Sequence, residues 1–77
     1  MTTQEEIVLD VSEMEAPLPL DAITRCLRDL KPDQKLRVIH RMFPCVLPEL
    51  AAKMHMKYTI LAQAEYYVEL LIEHRES

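Results

Sequence analysis

Glycine does not occur once in this chain. A glycine-rich loop that cradles phosphate is therefore excluded, and turns cannot lean on glycine for a positive φ. Proline, aspartate and glutamine must make them instead. Tryptophan is also absent, and the aromatics amount to one phenylalanine and three tyrosines. No basic–aromatic interleaving marks any strand, which argues against RNA recognition by base stacking. Two cysteines, Cys26 and Cys45, are too few for a disulfide scaffold and fit reduced thiols. Neither a signal peptide nor an apolar run of membrane-spanning length is visible. The expectation is a cytoplasmic domain with no membrane partner.

What remains is a chain of 77 residues, 49% of them apolar, enough for one small core and little more. Residues 1–77 read as a single domain, with 1–5 a frayed end. The net charge of −4 is unevenly spread. Residues 1–21 hold six acids and no Lys or Arg. Residues 22–58 hold eight basic side chains against Asp29, Asp33 and Glu49, a balance of +5, and residues 59–77 return to −3. A basic middle can meet an acidic partner or RNA; the simpler reading is a solvated mixture of surface charges.

Periodicity divides the chain into six elements. Ile7, Leu9 and Val11 alternate with Glu6, Val8 and Asp10, a strand over Glu6–Val11. The prolines of Ser12–Pro19 make that stretch a loop. Leu20, Ile23, Leu27 and Leu30 fall at helical spacing, opposite Asp21, Thr24, Arg25, Arg28 and Asp29. Pro32 ends that helix, and Lys35–Arg41 is the second strand. Met42–Leu47 is a second proline-bearing loop, and Pro48 suits the first turn of a helix running to about His55, with Leu47, Leu50, Ala51 and Met54 inward. Lys57–Ala62 and Tyr66–His74 are the last two strands, joined through Gln63-Ala64-Glu65.

The order β-α-β-α-β-β restricts the topology. A strand–helix–strand unit favours parallel strands, and a short final connection favours an antiparallel hairpin. The expected fold is an α/β (α+β) two-layer sandwich, with a mixed four-stranded sheet and both helices on one face.

Specific residues carry a resemblance as well. Leu9-Asp10, then Pro17-x-Pro19-Leu20, then Leu30-Lys31-Pro32 with Leu36-x-Val38, resemble the first half of the TusA/SirA-like sulfur-carrier family. The resemblance implies the same two-layer fold. It also implies a reactive cysteine immediately before Pro17, where this chain has Ala16, and alanine cannot hold sulfur as a persulfide. Glu13 and Asp33 replace customary glycines. Met42-Phe43-Pro44-Cys45-Val46-Leu47 is similar to the His-x-Pro-x-x-Leu-like loop of a cysteine-lacking subset of domains of unknown function, with Met42 in place of the histidine. The chain stands closer to that subset than to the true carriers.

The candidate working edge is therefore Ala16, Pro17, Pro19, Met42, Pro44 and Cys45, because parallel strands bring the loops after strands one and two to the same side. Cys45 is a weak candidate nucleophile, since a thiolate at a helix N-terminus is stabilised by free N–H groups and the helix dipole. Cys26 sits on the apolar flank of the first helix and reads as core. Asp10, at a strand end, reads as a cap for backbone N–H groups. His40, His55 and His74 are scattered, and with Met54, Met56 and Met42 they suggest soft-metal or haem ligation only as a remote reading. No cofactor is implied, and no complete catalytic constellation is visible.

The uncovered sheet face is a further candidate. Leu9, Val38, Ile60 and Leu70 are expected beneath the helices, leaving Val8, Ile39, Leu61, Tyr67 and Leu71 on the open side, rimmed by Glu6, Arg37, Arg41, Glu69 and Glu73. Such a patch suggests self-association or a protein partner, unless the rim side chains shield it. The favoured reading is a non-catalytic module that binds a protein or a small ligand. The alternatives are a sulfur carrier or sulfurtransferase partner working through Cys45, and a haem, metal or redox sensor.

Overall fold

The structure, a computed structural model, describes residues 5–15 and 18–75. Residues 1–4 of the frayed end expected over 1–5, and Ala16 and Pro17 of the candidate edge, lie outside the described residues. Six elements follow in the expected order: β1 (Glu5–Asp10), α1 (Leu18–Asp29), β2 (Gln34–His40), α2 (Leu47–Lys53), β3 (Met56–Ala64) and β4 (Tyr67–His74). They form a four-stranded mixed sheet in the order β1-β2-β4-β3. β1 runs parallel to β2, while β4 is antiparallel to both β2 and β3.

One face of this sheet makes the core. Leu36, Val38, Leu70 and Ile72, from the two central strands, are wholly buried, and Val68 and Met56 nearly so. Ile23 and Leu27 of α1 and Leu47 and Ala51 of α2 close over them in a single cluster. Both helices therefore lie on the same side, a two-layer arrangement. No polar or charged residue is buried among the described residues, so the core owes its stability to apolar burial and backbone pairing alone.

Several boundaries differ from the sequence reading. Glu5 belongs to β1 rather than to a frayed end, because Gln34 Nε2 donates to its Oε1 at 2.6 Å and its N–H bonds the Asp33 carbonyl. α1 begins at Leu18, two residues early, since proline at position 19 falls in the first turn, where no N–H is needed. α2 stops at Lys53. β3 starts at Met56 and runs on to Ala64, so the hairpin turn is only Glu65-Tyr66.

The missing glycine leaves a mark here. His55, just past α2, has φ of 57°, and Tyr66, at the hairpin turn, has φ of 62°. Both occupy left-handed positions that glycine would take without a Cβ clash.

Ile60 overturns the expected placement beneath the helices: it is 44% exposed. Seven residues of α2 span about 10 Å, whereas nine residues of β3 span about 30 Å. The helix cannot cover the far half of the strand. A bulge then intervenes between Ile60 and Ala62, leaving Leu61 without a partner of its own on β4.

Two outcomes test this account. Leu70→Ala, at the centre of the sheet, is expected to cost about 2–5 kcal/mol, a large part of what so small a domain possesses; urea unfolding followed by circular dichroism measures it. His55→Gly is expected to stabilise the domain by about 0.5–1 kcal/mol after the added chain entropy of glycine is subtracted, read as a raised unfolding midpoint. A lowered midpoint would contradict the left-handed strain.

Candidate functional site

β1 and β2 are parallel, so the chain leaves both at the same sheet edge. The ladder continues one residue past β1, where Val11 N–H donates to the Ile39 carbonyl at 2.8 Å, and Val11 is buried. Asp10 then closes the turn: its Oδ1 accepts from the Ser12 N–H at 2.9 Å and from the Ser12 hydroxyl at 2.6 Å. The Ser12 side-chain bond foremost, then the backbone bond, holds the Asp10 carboxyl below its ordinary value. This is the capping role its position suggested.

The loop after β2 is fixed from three sides. Met42 N–H donates to His40 Nδ1 at 3.1 Å. Arg41 Nη2 donates to the Met14 carbonyl oxygen at 3.2 Å, tying the β2–α2 loop to the loop before α1. Phe43 stacks against Tyr58 of β3 with ring centroids 5.7 Å apart and planes tilted by 49°, a favourable offset geometry. Leu47 N–H bonds the Pro44 carbonyl at 2.9 Å and starts α2.

Between these loops and the overhanging end of β3 lies a cleft of about 780 Å³. Pro19 and Leu20 of α1, the stretch His40–Cys45 and Ala64 with Tyr66 of the hairpin are its principal walls. Its lining is mainly apolar, and several exposed large apolar side chains gather there: Met14, Leu20, Met42 and Tyr66, the last 78% exposed. The volume is of the order that small-molecule or peptide side-chain sites have, and its place outside the carboxyl ends of parallel strands is where open α/β sheets bind ligands.

The structure brings four of the six edge residues, Pro19, Met42, Pro44 and Cys45, into this one cleft. The hairpin residues Gln63, Ala64 and Tyr66 were not anticipated as lining; only the true length of β3 carries them there. Leu20 was expected to be buried and instead faces the cleft, 36% exposed. Cys45 is exposed on the cleft, whereas Cys26 is half-buried and packed against the core.

The histidines do not converge. His40 lines the cleft, His55 follows α2, and His74 Nε2 donates to the Leu30 carbonyl oxygen at 2.7 Å. Among the described residues no group of three or more His, Cys, Asp or Glu side chains is placed to hold a metal ion. Among the described residues no helix is long and apolar enough to cross a membrane.

The open sheet face departs from its expected design. Val8, Leu61 and Tyr67 are exposed and Ile39 and Leu71 half-buried, but Arg37 is not on the rim. It stands between Val8 and Leu71 in the register. From there its guanidinium reaches Glu6 at 3.0 Å and Glu69 at 2.6 Å, while the Tyr67 hydroxyl donates to the other Glu69 oxygen. Lys35 and Lys57 flank Glu73, each at 4.0 Å. A chain of ions crosses the middle of the patch and divides it.

The architecture defines an α+β domain with a mixed sheet and an edge cleft. No family model matches the chain, and neither a curated protein nor a solved structure matches it.

Thiol accessibility provides a direct check of the geometry. Under native conditions iodoacetamide should modify Cys45 readily and Cys26 at least about tenfold more slowly, because access limits the second. Peptide mass mapping over time reads both rates; equal rates would contradict the packing of Cys26.

Proposed function

We propose that this domain is a non-catalytic binding module, resembling the cysteine-lacking TusA-like domains, whose working surface is the cleft at the carboxyl ends of β1 and β2. The observation that carries the reading is the convergence of Pro19, Met42, Pro44 and Cys45 on one mainly apolar cleft. Those positions were singled out from the sequence by the resemblance and by the expected parallel pairing of the first two strands. Ala16 at the family's cysteine position removes the usual nucleophile, and the remaining side chains suit binding better than bond-making. The occupant is an apolar group of a protein partner or a small apolar ligand, taken up by desolvating Met42, Phe43, Pro44 and Tyr66.

An uncharged solvatochromic dye, nile red, tests this. Its emission should rise and shift to the blue with wild-type protein. Met42→Glu combined with Tyr66→Ser should weaken the dye by about tenfold without loss of fold, since both side chains are largely exposed. Val8→Ser, on the opposite face, should change nothing. Equal binding by all three proteins would remove the cleft from consideration.

A second reading has one observation in its favour, the exposed Cys45 thiol on the same cleft. As a sulfur carrier, the Cys45 thiolate would attack the outer sulfur of a donor persulfide, forming a Cys45 persulfide and releasing the donor thiolate. Incubation with a persulfide donor should then add about 32 Da at Cys45, and a thiol acceptor should remove it. Absence of that adduct under conditions that load a free cysteine peptide would retire this reading.

A further inference from the structure

His40 does two things at once. Its ring lines the cleft, and its Nδ1 accepts the Met42 N–H at 3.1 Å. Only a ring without a proton on Nδ1 can accept there, so the structure requires neutral His40 with its proton on Nε2. Met42 opens the wall segment that continues through Phe43 and Pro44 to Cys45, all of them cleft residues.

We propose that His40 is a proton-operated latch on this wall: neutral, it holds Met42 in place; protonated, it turns its acceptor into a donor and releases the segment. The proposal rests on the cleft being the binding surface. The surroundings make protonation disruptive rather than tolerated. Arg41 is adjacent and already cationic, and no carboxylate lines the cleft among the described residues to balance a second positive charge. The other ionisable groups around the cleft are Cys45 and Tyr66. Pro19 and Leu20 from α1 and Gln63 and Ala64 from β3 carry no charge, and His40's partner across β4 is Val68. Exposed Glu13 and Glu15 flank Met14 on the neighbouring loop.

The direction of titration agrees. Partial burial first, then the charge of Arg41, holds the His40 imidazole below its ordinary value of 6.5. The latch is therefore closed above about pH 6.5. As the pH falls from that value towards the folded imidazole's own, the unfolded chain takes up its proton first, and His40's share of stability is lost over that interval. An apolar ligand would be held at neutral pH and released on mild acidification.

The test uses the full chain, labelled with nitrogen-15, titrated from about pH 8 to 5. Met42's amide resonance should move with the same midpoint as the His40 ring, below 6.5. Nile red affinity should fall over the same interval by about threefold to tenfold, the worth of one hydrogen bond. His40→Asn, whose Oδ1 accepts near the Nδ1 position at every pH, should flatten both profiles. An amide of Met42 indifferent to the His40 titration would overturn the latch, as would full pH dependence surviving in His40→Asn. Should that variant not fold, the wild-type amide titration decides alone. If nile red fails to bind at any pH, the cleft reading falls, while the amide titration still judges the latch separately.

Discussion

The parallel pairing of β1 with β2 is the constraint on which the rest depends. Parallel neighbours cannot be joined by a tight turn, so α1 must cross over, and both strands must release their following loops at one edge. Every wall of the cleft follows from that fact. Pro19 and Leu20 arrive there because α1 starts where β1 has ended, and the His40–Cys45 stretch arrives because β2 ends beside it. β4 then pairs antiparallel on the far side of β2 and β3 returns along it, bringing the hairpin tip to the same edge. An antiparallel β1–β2 pair would have sent the two proline loops to opposite ends of the molecule.

Charge reinforces this choice of neighbours. Glu5, Glu6 and Asp10 of the first segment fall on β1 and Glu69 and Glu73 of the last on β4, and the basic residues Lys35 and Arg37 fall on β2 between them. The unevenness along the sequence thus becomes alternation across the sheet: Glu6 and Glu69 around Arg37, and Glu73 between Lys35 and Lys57. Each such pair is partly solvated and contributes between nothing and about 1 kcal/mol. Their effect on specificity is larger than their effect on stability. Placing β1 beside β4 would set acid against acid. The same ions cross the open face beside Leu71 and Ile39 in the register, so Lys35, Arg37 and Lys57 are matched within the chain along this face.

Alternation and helical spacing made six elements and their order legible, because Leu36, Val38, Leu70 and Ile72 repeat with period two and Ile23 and Leu27 with the helical step. The candidate edge was legible for a different reason: prolines at 17, 19 and 44 mark where the chain cannot pair or continue a helix. What stayed hidden depends on lengths and offsets. Nothing in Lys57–Ala62 announces that one residue, Leu61, will bulge, because a bulge is a relation between two strands. Likewise Ile60 carries a core-like side chain and the correct parity, yet α2, which begins only at Leu47, does not reach over it. Tyr66 looked like the first residue of a strand and is instead the left-handed corner that delivers an aromatic ring to the cleft. Arg37 has the alternation of a surface residue, and only the neighbouring strands on either side place it at the middle of the face.

The absence of glycine bears on how the cleft would work. A loop rich in glycine loses much entropy when a ligand orders it, and affinity falls accordingly. Here Pro44 stiffens the wall, Phe43 is stacked on Tyr58, and the Arg41 and His40 hydrogen bonds fix the segment before any ligand arrives. The strain at His55 and Tyr66 has the same origin, since a chain without glycine must set ordinary residues at its tightest corners. The space exists beside an α2 that is short and begins only at Leu47, after the cleft wall: a further turn at its N-terminal end would extend towards Ile60 and narrow the cleft. A longer helix would add buried apolar area and hence stability. A fold so near the lower size limit that forgoes this burial, and leaves Met42 and Tyr66 in solvent, has given up stability at a place where the Arg41, His40 and Phe43 contacts hold its loop.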